Sequence, residues 1–241
     1  MEWQYGITTV PSRKNNLLKR TIASLKLAGF VTPRLFVDGG RGEDYENFGL
    51  EYTLRSNNVS CMGNWHSGMV ELYHRNPWAD RYAMFEDDFV TYKHLKEYLE
   101  LIPYPHRGYL NLLTFRENEE VIRNKPFGFH KAAALRGGEI LGGEPQTVAR
   151  GAVALVFSNE AIVALLSSMY MFSDSKNGLH GWRRVDGRIA DSLAMAGWRE
   201  YIHNPSLVQH TGDITTLPGN YRHPYANSFI SEDFDARELL C

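Results

Sequence analysis

Apolar residues in this 241-residue chain fall in short β-branched and aromatic runs separated by stretches with helical spacing. The run Tyr5-Gly6-Ile7-Thr8-Thr9-Val10 predicts a first strand, ended by Pro11. Leu17, Leu18, Ile22, Leu25 and Leu27 then share one broad helical face, and Gly29 closes that helix. Arg34-Leu35-Phe36-Val37-Asp38 predicts a second strand, stopped by Gly39-Gly40. Strand, helix and strand in such close succession predict the βαβ unit of a parallel α/β sheet.

The same reading continues down the chain. It predicts a third strand at Glu51–Leu54, then a helix after Gly63-Asn64 through Trp65, Met69 and Leu72. Next come a strand at Arg81–Phe85, a helix at His94–Leu101 stopped by Pro103 and Pro105, and a strand at Tyr109–Phe115. From Glu117 to Pro145 the pattern weakens and glycine pairs mark loop, which predicts an active-site loop. Val148–Phe157 predicts a strand, and Ser158-Asn159-Glu160 opens a helix over Ala161–Met169. Asp186 is placed as the N-cap of a helix carrying Ile189, Leu193 and Ala196, ended by Gly197. Trp198–His203 predicts a last strand, and the chain from Asn204 onward reads as a tail wrapping the surface. With no repeat, low-complexity tract or linker, a single α/β domain over residues 1–241 is expected.

The stretch Tyr82-Ala83-Met84-Phe85-Glu86-Asp87-Asp88-Phe89 stands apart, an apolar strand running into three consecutive carboxylates. Adjacent acids repel and lose hydration at the end of a buried strand, so they call for a counter-charge. A divalent cation is a compact one. Hard oxygen ligands suit Mg²⁺ or Mn²⁺, which bind through one or two carboxylates plus substrate phosphates. The plain alternative is a solvated acidic turn.

Composition narrows the classes. A net charge of −2 gives no general drive toward nucleic acid or an anionic membrane, though a basic patch around Arg183 and Arg184 remains open. The 13 Tyr, 12 Phe and 5 Trp would suit a pocket that stacks on bases or sugar rings, and equally a core. Two cysteines, Cys61 and Cys241, cannot build a disulfide or zinc framework. Met1-Glu2-Trp3-Gln4 leads directly into strand-like sequence, and no window approaches the roughly 20 apolar residues of a membrane span. A cytoplasmic protein is expected.

In an open α/β sheet, ligands bind at the carboxyl ends of the strands. After the first strand, Thr8, Thr9, Val10, Ser12 and Arg13 could bring backbone N–H groups, hydroxyls and a guanidinium to a nucleotide. Asp38 is placed to meet a base or ribose, and Arg55, Asn57 and Asn64 follow the third strand toward the same ligand. Ser12 could instead cap the helix, and Arg13 could be solvated. Asp186 follows Arg183-Arg184-Val185 and is a candidate general base, with a simple helix cap as the alternative. His210, in Pro205-Ser206-Leu207-Val208-Gln209-His210-Thr211-Gly212, could add an imidazole to a Mn²⁺ site.

These residues resemble, in order, the motifs of GT-A-fold glycosyltransferases. The segments are Thr8–Arg13 with its helix, the strand ending in Asp38, Glu86-Asp87-Asp88, Gly151–Ser158, Val185-Asp186 and Pro205–His210. Glycosyltransferase family 25 and the N-acetylglucosaminyltransferase IV group are most similar, both carrying a Glu-Asp-Asp version of the Asp-X-Asp motif. The resemblance covers most of residues 5–217 and implies a single Rossmann-like GT-A domain with a mostly parallel mixed sheet. It implies a metal- and nucleotide-sugar-dependent transferase, inverting, with a UDP-sugar donor. By carry-over Asp88 and His210 would bind the metal, Glu86 and Asp87 would face the ribose and the metal's water shell, and Asp186 would be the base. Lacking a stem and a lectin-like domain, the chain fits a bacterial or phage enzyme with a glycan or other hydroxyl acceptor. Modified DNA is a further acceptor class, given Arg183, Arg184 and Arg188.

Two rival classes stay open. A nucleotidyltransferase of similar fold would place a glycine-rich phosphate loop after its first strand, where this chain has Thr-Thr-Val-Pro-Ser-Arg. A non-catalytic module that binds nucleotide or glycan would not need the triple acid.

Overall fold

The fold is taken from a computed structural model that describes residues 1–132, 140–141, 144–145, 151–169, 171, 185–212 and 225–240. Its strands are β1 (Trp3–Thr9), β2 (Arg34–Asp38), β3 (Tyr52–Arg55), β4 (Arg81–Phe85), β5 (Phe89–Thr91) and β6 (Gly108–Asn111). They continue with β7 (Gly128–Lys131), β8 (Ile140–Leu141), β9 (Glu144–Pro145), β10 (Ala154–Ser158), β11 (Arg199–Asn204) and β12 (Val208–His210). The helices are α1 (Lys19–Leu27), α2 (Ser60–Arg75), α3 (Leu95–Leu101), α4 (Arg116–Ile122), α5 (Asn159–Leu166) and α6 (Val185–Met195).

One eight-stranded sheet in the order β3-β2-β1-β4-β10-β6-β11-β7 forms the centre. β3, β2, β1 and β4 are mutually parallel, β10 is antiparallel to both β4 and β6, and β11 returns parallel to β6. Helices cover both faces, so the strands are apolar on both sides. Along β4, Ala83 and Phe85 enter one core with α1 and α3, while Tyr82 and Met84 enter the other with α2, α5 and α6. β10 alternates likewise, Ala154 and Val156 against Leu155 and Phe157. Close packing on the second face depends on small residues. A Cβ on Gly6 would stand 2.4 Å from the Phe36 ring, and one on Gly68 of α2 would stand 2.9 Å from it.

Several expected boundaries shift for identifiable reasons. α2 begins at Ser60, ahead of Gly63-Asn64, because Asp38 accepts the Val59 amide at 2.8 Å and supplies the start from another strand. β6 stops at Asn111, and the following residues turn to other partners: Thr114 N donates to Ser206 Oγ at 3.0 Å. β10 begins only at Ala154, since Gly151 takes a left-handed φ of +84° that breaks an extended run. The weakly patterned region from Glu117 contains most of α4, β7 at the sheet edge, and the antiparallel pair β8 and β9. The expected surface tail instead holds β12, and residues 225–240 are tied down: Gln209 exchanges two hydrogen bonds with the Ala226 backbone. Among the described residues no helix is long and apolar enough to cross a membrane.

Candidate active site

Because β3, β2, β1 and β4 are parallel, their carboxyl ends share one edge, and Arg55, Asp38, Thr9 and Glu86 follow one another along it. Such an edge is where α/β sheets bind ligands. β12 pairs antiparallel with β5, His210 opposite Phe89, and Thr211 N donates to Asp88 O at 2.8 Å. That small two-stranded sheet brings the histidine back to the acids from over a hundred residues away in the chain.

The three acids take different places. One ligating atom each from Glu86, Asp88 and His210 lies within 4.8 Å of the others, with His210 Nδ1 3.6 Å from Asp88 Oδ1. Asp87 turns to the protein, where it accepts from Thr9 Oγ1 at 2.5 Å and from Arg13 Nη1 at 2.7 Å. The same Arg13 nitrogen is 2.8 Å from Asp88 Oδ2. The expected counter-charge is therefore supplied in part by an arginine. It does not suffice: burial, then the charges of Asp88 and Asp186, push the Glu86 carboxyl well above its usual range despite Arg13. Burial likewise raises Asp87 against the pull of Arg13. Two carboxylates and an imidazole are a donor set that Mn²⁺ or Mg²⁺ accepts, and a corner still short of positive charge is one a divalent ion would relieve.

Asp186 lies in the first turn of α6, and its carboxylate accepts the Gly151 amide at 2.5 Å. It thus anchors α6 to the segment leading into β10. That segment also meets the acids, through Glu86 N donating to Val153 O at 2.7 Å. Burial raises the Asp186 pKa, and hydrogen bonds from the Gly151, Asp186 and Ala152 amides pull it partly back. Its charge acts on Glu86, so the two carboxyls border one region.

The remaining predicted residues are distributed around this centre. Thr8 Oγ1 donates to Phe85 O at 3.3 Å, bracing β1 on β4. Val10 is half-buried and Ser12 is exposed, without a helix-capping bond. Asp38 is buried beneath the start of α2, with burial raising its pKa. Asn64 is buried and donates to Phe36 O at 2.8 Å, while its oxygen is 3.4 Å from Arg55 Nε. Asn57 is exposed on the loop after β3. Arg188 is buried in α6, with burial lowering its pKa; Arg183 and Arg184 lie outside the described residues.

Sequence reasoning missed a second polar group. Glu200 of β11 is buried and accepts from Asn111 Nδ2 of β6 at 2.8 Å; the same amide donates to Gly151 O at 3.1 Å. Burial raises the Glu200 pKa to about 7, with Asn111 pulling down and Asp186 pushing up. The available signal was parity: Glu200 alternates in register with Ile202, which is buried.

No protein-family model matches the chain, and no curated protein matches its sequence. Among solved structures it is similar to GalNAc-T7 determined with UDP, GalNAc and Mn²⁺, with a TM-score of 0.59 and 12% identity over 91% of this chain. It is also similar to mannose-1-phosphate geranyltransferase from Thermus thermophilus, with a TM-score of 0.44 and 13% identity over 84% of this chain and 74% of that one. The chain spans 45% of GalNAc-T7, and that likeness is one of fold: a GT-A, Rossmann-like sheet flanked by helices.

Proposed function

We propose that this chain is one catalytic domain that transfers a sugar from a nucleotide-sugar donor, a UDP-sugar, to an acceptor hydroxyl with inversion. The observation that carries this reading is the convergence of Glu86, Asp88 and His210 at the carboxyl edge of a GT-A sheet, with Asp186 anchored alongside. Glu86, Asp88 and His210 would hold Mn²⁺ or Mg²⁺, which when bound would offset charge on the departing nucleoside diphosphate. Thr9 and Arg13 fix Asp87 and so stiffen the acid corner. Arg55 and Asn57, at and beyond the end of β3, are in the part of the edge that would receive the nucleoside.

Asp186 takes the proton from the acceptor hydroxyl as its oxygen attacks the sugar carbon from the side opposite the diphosphate. A raised pKa is what that role asks of a carboxylate, since basicity near neutral pH gives proton transfer its driving force. The acceptor is a small or lipid-linked glycan in this reading. A net charge of −2 and the burial of Arg188 weigh against a long polyanion.

A thermal-shift screen of nucleoside diphosphates with and without Mn²⁺ tests the donor half. UDP is expected to stabilise the protein strongly only when Mn²⁺ is present. Stabilisation by UDP that is indifferent to EDTA would rule out the metal-bridged donor site.

A further inference from the structure

We propose that Arg13 is a built-in counter-cation that keeps the acid corner weak for a divalent ion until a nucleoside diphosphate arrives. This rests on the reading of Glu86, Asp88 and His210 as a metal site. One nitrogen of Arg13 bridges Asp87 Oδ1 at 2.7 Å and Asp88 Oδ2 at 2.8 Å, while the other Asp88 oxygen faces His210. Asp88 is therefore shared between a guanidinium and the candidate ligand set. The Arg13 side chain is 11% exposed and those of Asp87 and Asp88 are 3% and 0%, so water screens these charges little.

A divalent ion entering alone would meet a fixed cation across a shared carboxylate, and the two would repel. A diphosphate changes this balance, because its negative charge attracts both cations. Arg13 also has a donor to offer it: Nε is buried with no hydrogen-bond partner among the described residues. Ion and nucleotide then strengthen one another's binding by the same factor, as linkage requires. The bridging arginine makes premature loading with a free ion unfavourable and ties metal capture to the donor.

Mn²⁺ binding can be read directly from the electron paramagnetic resonance of the free ion, with and without UDP. Arg13→Gln removes the charge but keeps an amide donor for Asp87, and Arg13→Lys keeps the charge. Arg13→Gln is expected to bind Mn²⁺ alone about tenfold or more tightly than the wild type, with Arg13→Lys close to the wild type. The factor by which UDP tightens Mn²⁺ should shrink in Arg13→Gln. If Arg13→Gln does not fold, the double variant Asp87→Asn/Arg13→Gln is compared with Asp87→Asn alone, and tighter Mn²⁺ binding in the double variant is read the same way. Equal or weaker Mn²⁺ binding in the folded variant overturns the role of Arg13, while wild-type binding that is lost in Asp88→Asn leaves the metal site standing. Wild-type binding that survives Asp88→Asn, or no wild-type binding even with UDP, overturns both.

Discussion

The acid corner after β4 and the buried carboxyls of Asp186 and Glu200 face the same physical problem and answer it differently. In the corner, three adjacent acids gather around a guanidinium, and Asp87 is held by Arg13 and Thr9 together. Across the β10 lead-in, Asp186 and Glu200 are held by neutral donors instead: the Gly151 amide and the Asn111 side chain. Charge answered by a cation favours ionised carboxylates and suits binding an ion. In both groups burial lifts the carboxyl pKa; Arg13 pulls against it in the corner, and at Asp186 and Glu200 only neutral amides do, which suits holding or moving a proton. Gly151 links the two amide-held acids, donating to Asp186 and accepting from Asn111, the partner of Glu200.

The comparison is tested hardest at Asp186. Asp186→Asn keeps the size of the side chain and an acceptor for Gly151 but removes the base. Turnover is expected to fall by about 10²–10⁴-fold, with Mn²⁺-dependent UDP binding nearly unchanged. Single-turnover rates beside a nucleotide titration separate the two effects. Lost UDP affinity in a folded variant would make Asp186 part of the donor site or a structural anchor, and Asp191 the next base to examine.

The link itself is the second target. Gly151 has φ +84°, and a Cβ there would stand 2.6 Å from the buried ring of Phe115. Gly151→Ala should cost about 1–3 kcal/mol in stability and displace the amide that anchors Asp186. Turnover should fall with it, while Mn²⁺ affinity, set across the lead-in, should hold. A chemical melt and a Mn²⁺ titration on the same variant check this. Metal affinity that falls as far as turnover would mean that the two groups do not behave separately.

How much of this was legible follows from where each signal sits. The β4 run into Glu86-Asp87-Asp88 is contiguous, so a strand ending in acids could be read directly. His210 could be named but not placed, because the β5–β12 pairing that delivers it joins residues far apart in sequence. The start of α2 has no local signal, because the carboxylate that fixes Val59 ahead of it, Asp38, belongs to another strand. Arg13 reads locally as a cation for a nucleotide, and its pairing with acids more than seventy residues on has no local signal. Parity with Ile202 points Glu200 inward, but its partner Asn111 cannot be named until the sheet order sets β6 beside β11.

Glu200 gives the comparison a pH signature. Its folded pKa of about 7 lies above the ordinary 4.5, so the folded state binds the proton more tightly than the unfolded chain. That contribution is complete below about pH 4.5 and is lost as pH rises through about 7, reaching on the order of 3 kcal/mol. Glu200→Gln keeps the acceptor for Asn111 and cannot ionise. The wild type should therefore lose stability relative to this variant between about pH 4.5 and pH 8, and the two should run parallel below that window. Urea melts across the range measure it, and parallel curves throughout would mean that Glu200 is solvated like an ordinary surface carboxylate.

The smallest effect is expected in the acid corner, at Thr9→Val. The substitution preserves shape on the buried end of β1 and removes only the hydroxyl that donates to Asp87 Oδ2 at 2.5 Å. A hydrogen bond to a charged acceptor contributes about 1.5–3 kcal/mol when lost outright. Here the other Asp87 oxygen keeps Arg13 at 2.7 Å, so the carboxylate stays paired and the net cost should be nearer 1 kcal/mol. With one partner gone, Asp87 draws more on Arg13, which should loosen the hold of Arg13 on Asp88 and leave Mn²⁺ affinity equal or slightly higher. Chemical melts and Mn²⁺ titrations read both quantities. A loss well above 3 kcal/mol would mean that the hydroxyl, and not the guanidinium, is the main support of Asp87, and the contrast between a cation-held and an amide-held group of acids would fail at its first term.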